Sequence, residues 1–224
     1  VNSVRTRLDQ VCAWLQREQP EVLCLQETKV ADDLFPREAF TELGYQLAIS
    51  GQKAYNGVAI VSRLPLEDVQ IGFEAISALV DGIRVLNLYV PNGSSLSSDK
   101  YSYKLAWLTC LQDYVQQVLK QGDPLCMVGD FNIGPEARDI HDPERLSGGI
   151  MASDAERHAL QAVLGTELQD AFRQFESGSG HWSWWDYRTG AWERNQGWRI
   201  DHIYLCEQLQ ACATGCRIDQ QVRG

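Results

Sequence analysis

From Tyr45 to Tyr89 the chain reads as five short strands in quick succession. The runs are Tyr45–Ser50, Gly57–Ser62, Val69–Phe73, Ala78–Val80 and Arg84–Tyr89, separated by Gly, Asn, Pro and Asp turns. Strands joined this tightly form a largely antiparallel sheet, because parallel neighbours need a long crossover between them. Helical spacing flanks the strands on both sides. Leu8, Val11, Cys12 and Leu15 mark one apolar face, broken by Pro20 before the extended run Val22–Leu25. Leu105, Leu108, Leu111, Val115, Val118 and Leu119 form a longer stripe, ended by Gly122 and Pro124. A further helix is predicted over Ser153–Leu164. Helices on the outer faces of two packed sheets account for this pattern, with strand ends converging on one rim. The 224 residues, 44% of them hydrophobic, supply ample core for one domain over 1–224. There is no internal repeat, and Asn92–Ser98 and Ser177–Gly180 read as exposed loops rather than linkers.

Chemistry concentrates at strand ends. The apolar run Leu125–Val128 is followed by Gly129, Asp130, Phe131 and Asn132. A buried strand that delivers a carboxylate and a carboxamide one residue apart suits a hard cation and a phosphate. Glu27 closes the strand Val22–Leu25 in a similar setting, and Asp201 precedes the apolar Ile203, Tyr204 and Leu205. Mg²⁺ takes oxygen ligands, keeps several waters and is commonly held by one or two carboxylates plus a substrate phosphate. Glu27 fits that need. Asp130 is the candidate to orient or deprotonate an attacking water. Asn132 can donate a hydrogen bond to a phosphate oxygen as charge builds on it, which an Asp cannot. The competing reading of Gly-Asp-x-Asn is an ordinary turn.

Two loops add polar and aromatic groups. Tyr89, Val90, Pro91, Asn92 and Gly93 bring a phenol and a carboxamide to the end of a strand. His181 to Arg188 carries Trp182, Trp184, Trp185 and Tyr187, rings that stack on unpaired bases or wedge against a distorted duplex, or else pack in the core.

Composition narrows the classes. No apolar stretch is long enough to span a membrane and no signal-peptide core opens the chain, so a soluble, cytoplasmic protein is expected. Cys12, Cys24, Cys110 and Cys126 fall in apolar patterns and read as reduced core residues. Cys212 and Cys216 lack the second ligand pair of a zinc site. A net charge of -10 runs against a basic nucleic-acid clamp, although a bound divalent cation reverses the field at a cluster of acids. Lys29, Lys53, Arg63, Arg84, Lys100, Lys104, Arg188 and Arg199 lie near predicted loops or strand ends, where a phosphate backbone can meet them.

Five runs together resemble one family: Leu25–Lys29 (LQETK), Tyr89–Gly93 (YVPNG), Gly129–Ile133 (GDFNI), Trp184–Arg188 (WWDYR) and Trp198–Asp201 (WRID). They are similar, in order and spacing, to the exonuclease III family of class II apurinic/apyrimidinic endonucleases, within the exonuclease-endonuclease-phosphatase superfamily. The resemblance implies an α/β, DNase I-like, four-layered sandwich of two mainly antiparallel sheets flanked by helices. It implies a monomeric nuclease acting on double-stranded DNA, 5′ to abasic sites and from 3′ ends, with Mg²⁺ or Mn²⁺. Carried over, Glu27 is the metal ligand, with Asp130 and Asn132 close to the same ion; Tyr89 contacts the phosphate, Asp130 handles the water and Asn132 stabilises the transition state. Asp201 matches the aspartate that supports the family's catalytic histidine. Asn92, Trp184, Trp185 and Lys53 fall among DNA contacts.

The chain also departs from the family pattern. The first family strand with its metal-organising Asn and the final Ser-Asp-His segment are expected to be absent, and the stretch between Gly72 and Asp81 is short. His202 is a poor substitute for the missing histidine, since it and Asp201 alternate across a strand. A fragment of an active enzyme, a disabled DNA-binding copy and a superfamily phosphomonoesterase are the alternatives that follow.

Overall fold

The computed structural model describes residues 1–219, and its packing divides the chain into two units. Val1–Tyr89 and Asp123–Gly129 form the first; Val90–Gly122 and the chain from Asp130 onward form the second.

In the first unit, helix α1 (Leu8–Glu18) buries Leu15 and half-buries Leu8, Val11 and Trp14 along one face. It stops at Gln19, whose left-handed backbone (φ 47) returns an N–H to the Leu15 carbonyl just before Pro20. Strands β1 (Val22–Gln26), β2 (Gln46–Ser50) and β3 (Val58–Ser62) form an antiparallel sheet in the order β1-β3-β2, with Leu25 and Ile49 both opposite Ala59. The short helix α2 (Arg37–Thr41) buries Phe40 in the same cluster as Leu15, Leu25, Phe35 and Val61, so α1 and α2 cover one face of this sheet.

The other face meets a second sheet, in which β4 (Glu67–Gly72), β5 (Ala75–Val80), β6 (Ile83–Tyr89) and β7 (Leu125–Asp130) follow in that order. Ala48, Val58 and Ile60 from one sheet pack on Ile76, Ala78, Val80 and Val85 from the other. Alternation in β3 is lost because both its faces are covered; every residue of it is buried. Asn87 is the polar group in this dry layer, and it is fully satisfied. Its amide donates to the carbonyls of Leu25 (3.0 Å) and Ala59 (2.9 Å), and its oxygen accepts from Gln26 Nε2 (2.6 Å).

Two-residue turns join these strands. Asp81-Gly82, with φ 49 and 75, is the sequence such a turn favours. Phe73-Glu74 adopts the same hand (φ 35 and 61) without that chemistry, which is why β4 ends at Gly72 rather than the expected Phe73 and β5 begins at Ala75 rather than the expected Ala78. Gly129 has a packing reason: a Cβ there would lie 2.1 Å from the Leu88 carbonyl oxygen on the neighbouring strand.

The second unit is built on α3 (Asp99–Gln121), started by Ser98, whose hydroxyl accepts from the Tyr101 N–H, and ended by Gly122 at φ 88. After α4 (Pro143–Leu146), helix α5 (Asp154–Leu164) opens with a Ser153/Glu156 capping box and packs on α3. Strand β8 (Leu168–Asp170) pairs antiparallel with β11 (Asp201–Cys206), and Asp170 caps α6 (Ala171–Phe175). The two-residue strands β9 (Trp184–Trp185) and β10 (Gly197–Trp198) pair with each other, and α7 (Glu207–Cys212) follows β11. The predicted domain extends to Gly224, beyond the described residues. None of the seven cysteines forms a disulfide among the described residues, and no described helix is long and apolar enough to cross a membrane.

Candidate active site

The motif residues form one group in each unit. In the first, Glu27 follows β1 in the left-handed region (φ 53), and its carbonyl accepts the Ser3 N–H. That turn brings its carboxylate to the end of β6, where Tyr89 donates from its hydroxyl to Oε1 at 3.2 Å. Lys29 Nζ lies 2.7 Å from Oε2 and also donates to Asn2 Oδ1. The carboxylate is about a quarter exposed and already holds one cationic group. Lys53 is exposed in the loop joining β2 and β3.

In the second unit, Asp130 Oδ1 accepts the backbone N–H of Asn132 at 2.9 Å, an Asx-type turn that fixes the spacing of the two side chains. Asn132 is buried and left-handed (φ 49), a conformation that Asn tolerates better than most residues. Its amide is pinned at both ends. Nδ2 donates to the Val90 carbonyl (2.9 Å) and Oδ1 accepts from Asn92 Nδ2 (3.0 Å), which leaves one amide hydrogen beyond these bonds. The turn reading of Gly-Asp-x-Asn holds, and the turn is what orients the carboxamide.

Asp201 lies close by along the backbone. The Phe131 N–H donates to the Ile200 carbonyl at 2.8 Å, and Ser183 Oγ accepts the N–H groups of both Ile200 and Asp201 at 3.0 Å. His202 points the other way, as strand alternation requires. It is buried, stacked on Phe131 and hydrogen-bonded to Tyr204 Oη, and burial, aided by Arg199, pushes its pKa down to about 4. It is a core imidazole, neutral at ordinary pH.

The tryptophan loop divides. Trp184 is partly exposed and packs against the cluster of Ile140, Met151, Trp198 and Ile200. Trp185, expected among the DNA contacts, is instead 1% exposed, edge-on to Trp192 at 4.6 Å, because a pair of residues on a strand divides between core and surface. Three of the eight cations expected near phosphates are also buried. Arg84 is paired with Asp68 and Asp123; Lys104 with Glu156; Arg199 with Asp139 and Asp170, beside Arg173 and over the Phe172 ring. Burial opposes the charge on Arg199 and Asp139, yet the ion pairs win, so Arg199 titrates above and Asp139 below its usual range. Lys53, Arg63, Lys100 and Arg188 remain exposed.

No group of three or more His, Cys, Asp or Glu is arranged as a metal cage among the described residues. The donor set still fits magnesium, which needs few protein oxygens because water and phosphate complete its shell. Glu27, a partly exposed carboxylate with an ammonium group already at Oε2, has the right charge and access. Ser183 and the Lys104–Glu156 pair are visible only in the folded chain. Ser and Lys in these positions carry no motif, and their partners are far away in sequence.

Comparison with known proteins decides the family. The sequence model described as Endonuclease/Exonuclease/phosphatase family matches residues 1–223. The chain belongs to this family. Among relatives in the endonuclease/exonuclease/phosphatase family, exodeoxyribonuclease III of Haemophilus influenzae is 31% identical over 230 residues, covering 93% of this chain and 86% of that one. The structure of the 3′ phosphatase NExo from Neisseria bound to product DNA hairpin is 38% identical, with a TM-score of 0.98 and coverage of 100% of this chain and 91% of that one. An AP endonuclease from Archaeoglobus fulgidus is 38% identical at a TM-score of 0.90, covering 94% and 86%. The fold is thus the DNase I-like one expected from the sequence, with sheets flanked by helices.

Proposed function

We propose that this protein is a DNA repair nuclease that hydrolyses the phosphodiester 5′ to abasic sites and clears nucleotides or blocking groups from 3′ ends of duplex DNA, as a monomer dependent on Mg²⁺, with Mn²⁺ able to replace it. The observation that carries this reading is the Asn132 carboxamide, pinned by Val90 and Asn92 one residue beyond Asp130. A rigid amide donor beside a carboxylate is what attack on a phosphate ester requires. Family membership supports the substrate class, and a 38% identical relative described as a 3′ phosphatase, bound to DNA, specifically favours action at 3′ ends. Cysteines held as thiols rather than disulfides agree with a reducing, cytoplasmic setting.

Each residue has a proposed task. Glu27 would hold the metal ion, which would supply charge neutralisation at the phosphate ester. Tyr89, oriented by its bond to Glu27, donates to a phosphate oxygen. Asp130 takes a proton from the attacking water, while the spare Asn132 amide hydrogen meets the oxygen that gains charge. Asp201 orients a proton carrier for the leaving group. Asn92 and Lys53 contact the DNA backbone, and Trp184, seated on the cluster of Ile140, Met151, Trp198 and Ile200, presents the ring that fills space at the lesion, with Trp185 holding the loop from the core.

A duplex with one stable abasic analogue and a second with a recessed 3′-phosphate, each given Mg²⁺ or EDTA, test the proposal. Nicking 5′ to the lesion and phosphate release, both abolished by EDTA, are expected. A duplex that is bound but left intact in Mg²⁺ refutes turnover. Phosphate release from small sugar phosphates alone refutes DNA as the substrate.

A further inference from the structure

Lys104 and Glu156 are both wholly buried, and their charges meet at 2.5 Å between α3 and α5. Isolated charges do not persist in such a place, so the bonds around them explain their presence. Glu156 is saturated: Oε1 also accepts the Met151 N–H (3.1 Å), and Oε2 accepts the Ser153 N–H (3.1 Å) and hydroxyl (2.6 Å). Lys104 faces the other way along the chain. Its Nζ donates to the Asn132 carbonyl at 2.8 Å and, more weakly, to the Asn92 carbonyl at 3.5 Å. These two asparagines hold each other through their side chains. Gly93 lies directly over the lysine stem, where a Cβ would come within 3.3 Å of Lys104 Cδ.

We infer that Lys104, held by Glu156, is a positioning residue: it fixes the backbone of Asn132 and Asn92 so that both carboxamides are set before substrate arrives. The inference rests on the nuclease reading above. The left-handed turn at Asn132 is where such support matters, because that conformation is disfavoured for any residue with a side chain. An ammonium bonded to the Asn132 carbonyl favours it over the extended alternative. Burial lowers the lysine pKa, and Glu156 and Asp130 oppose that, so the pair acts as one unit and is best removed as one.

The variant Lys104→Met/Glu156→Gln removes both charges and leaves no lone buried ion. Single-turnover cleavage of the abasic or 3′-phosphate duplex in Mg²⁺ should slow by roughly 10- to 100-fold, the range for partners that orient a reacting group. The melting temperature should stay close to wild type, and DNA affinity in EDTA, which Asn92 shares with other contacts, should fall far less than the rate, a split that a purely structural role would not give. A folded double variant that cleaves at the wild-type rate overturns the inference. Should the double variant fail to fold, Glu156→Asp, which keeps both charges and withdraws the carboxylate from Lys104 by one methylene, is judged by the same rate-against-affinity criterion. Wild-type protein inactive on both duplexes would instead refute the nuclease reading and is scored separately.

Discussion

Asn87→Leu removes the polar centre between the two sheets of the first unit while nearly preserving volume. Three hydrogen bonds go, and the Leu25 and Ala59 carbonyls and the Gln26 amide lose a partner in a layer where Asn87 itself is wholly buried. At somewhat over 1 kcal/mol for each of the hydrogen bonds lost, the loss is about 4 kcal/mol, and the better burial of leucine returns about 1 kcal/mol, for a net of about 3 kcal/mol. For a chain of this size each kcal/mol moves Tm by about 2–4 °C, so a fall of about 6–12 °C is expected by calorimetry. The loss should reach the active-site group too, because Gln26 precedes Glu27 and Asn87 shares a strand face with Tyr89. Cleavage at a permissive temperature should therefore fall in the same variant. A Tm within about 2 °C of wild type, against a scale of several degrees, would refute the claim that Asn87 ties the sheets together.

Gly129→Ala should prevent stable folding, with a loss above about 3 kcal/mol, since its new methyl would meet the Leu88 carbonyl oxygen rather than a movable side chain; soluble expression and denaturant midpoint check this. Asn132→Ala should lower the cleavage rate about 10²–10³-fold with DNA affinity in EDTA retained, as for other donors to a developing oxyanion. His202, with its folded pKa depressed to about 4, gives a signed pH dependence. Between about pH 6.5, the unfolded value, and pH 4 only the unfolded chain gains the proton, so stability falls by about 3 kcal/mol as pH drops through that window. Urea midpoints measured across it should slope for wild type and lie flatter for His202→Gln.

The sheet and helix plan was legible because its segments keep one period long enough to read. Leu105 to Leu119 holds helical spacing to Gly122, where the helix ends, and Asp81-Gly82 announces its turn. The Phe73-Glu74 turn was not legible, because its left-handed backbone is imposed by strand pairing and not by residue preference. Two-residue strands such as Trp184–Trp185 have no period to detect, and Trp185 was assigned outward in consequence. In the candidate site, the residue types at Glu27, Asp130 and Asn132 were informative, whereas what aims them was not. Gln26 and Asn87, or Lys104 and Glu156, are neighbours only after folding. The same blindness put Arg84, Lys104 and Arg199 among surface cations, since Glu156 and Asp139 lie 52 and 60 residues away from Lys104 and Arg199.

Those three sequestered cations bear on how the protein meets undamaged DNA. Affinity for a phosphate lattice grows with the number of counterions displaced, roughly one for each phosphate neutralised. With Arg84, Lys104 and Arg199 paired internally, three of the eight cations near loops and strand ends are withdrawn from that count, and the remaining basic groups act against a net charge of -10. Log-log plots of duplex affinity against salt should accordingly be shallow, and the protein should leave intact stretches quickly, with dwell time concentrated where the backbone itself is irregular.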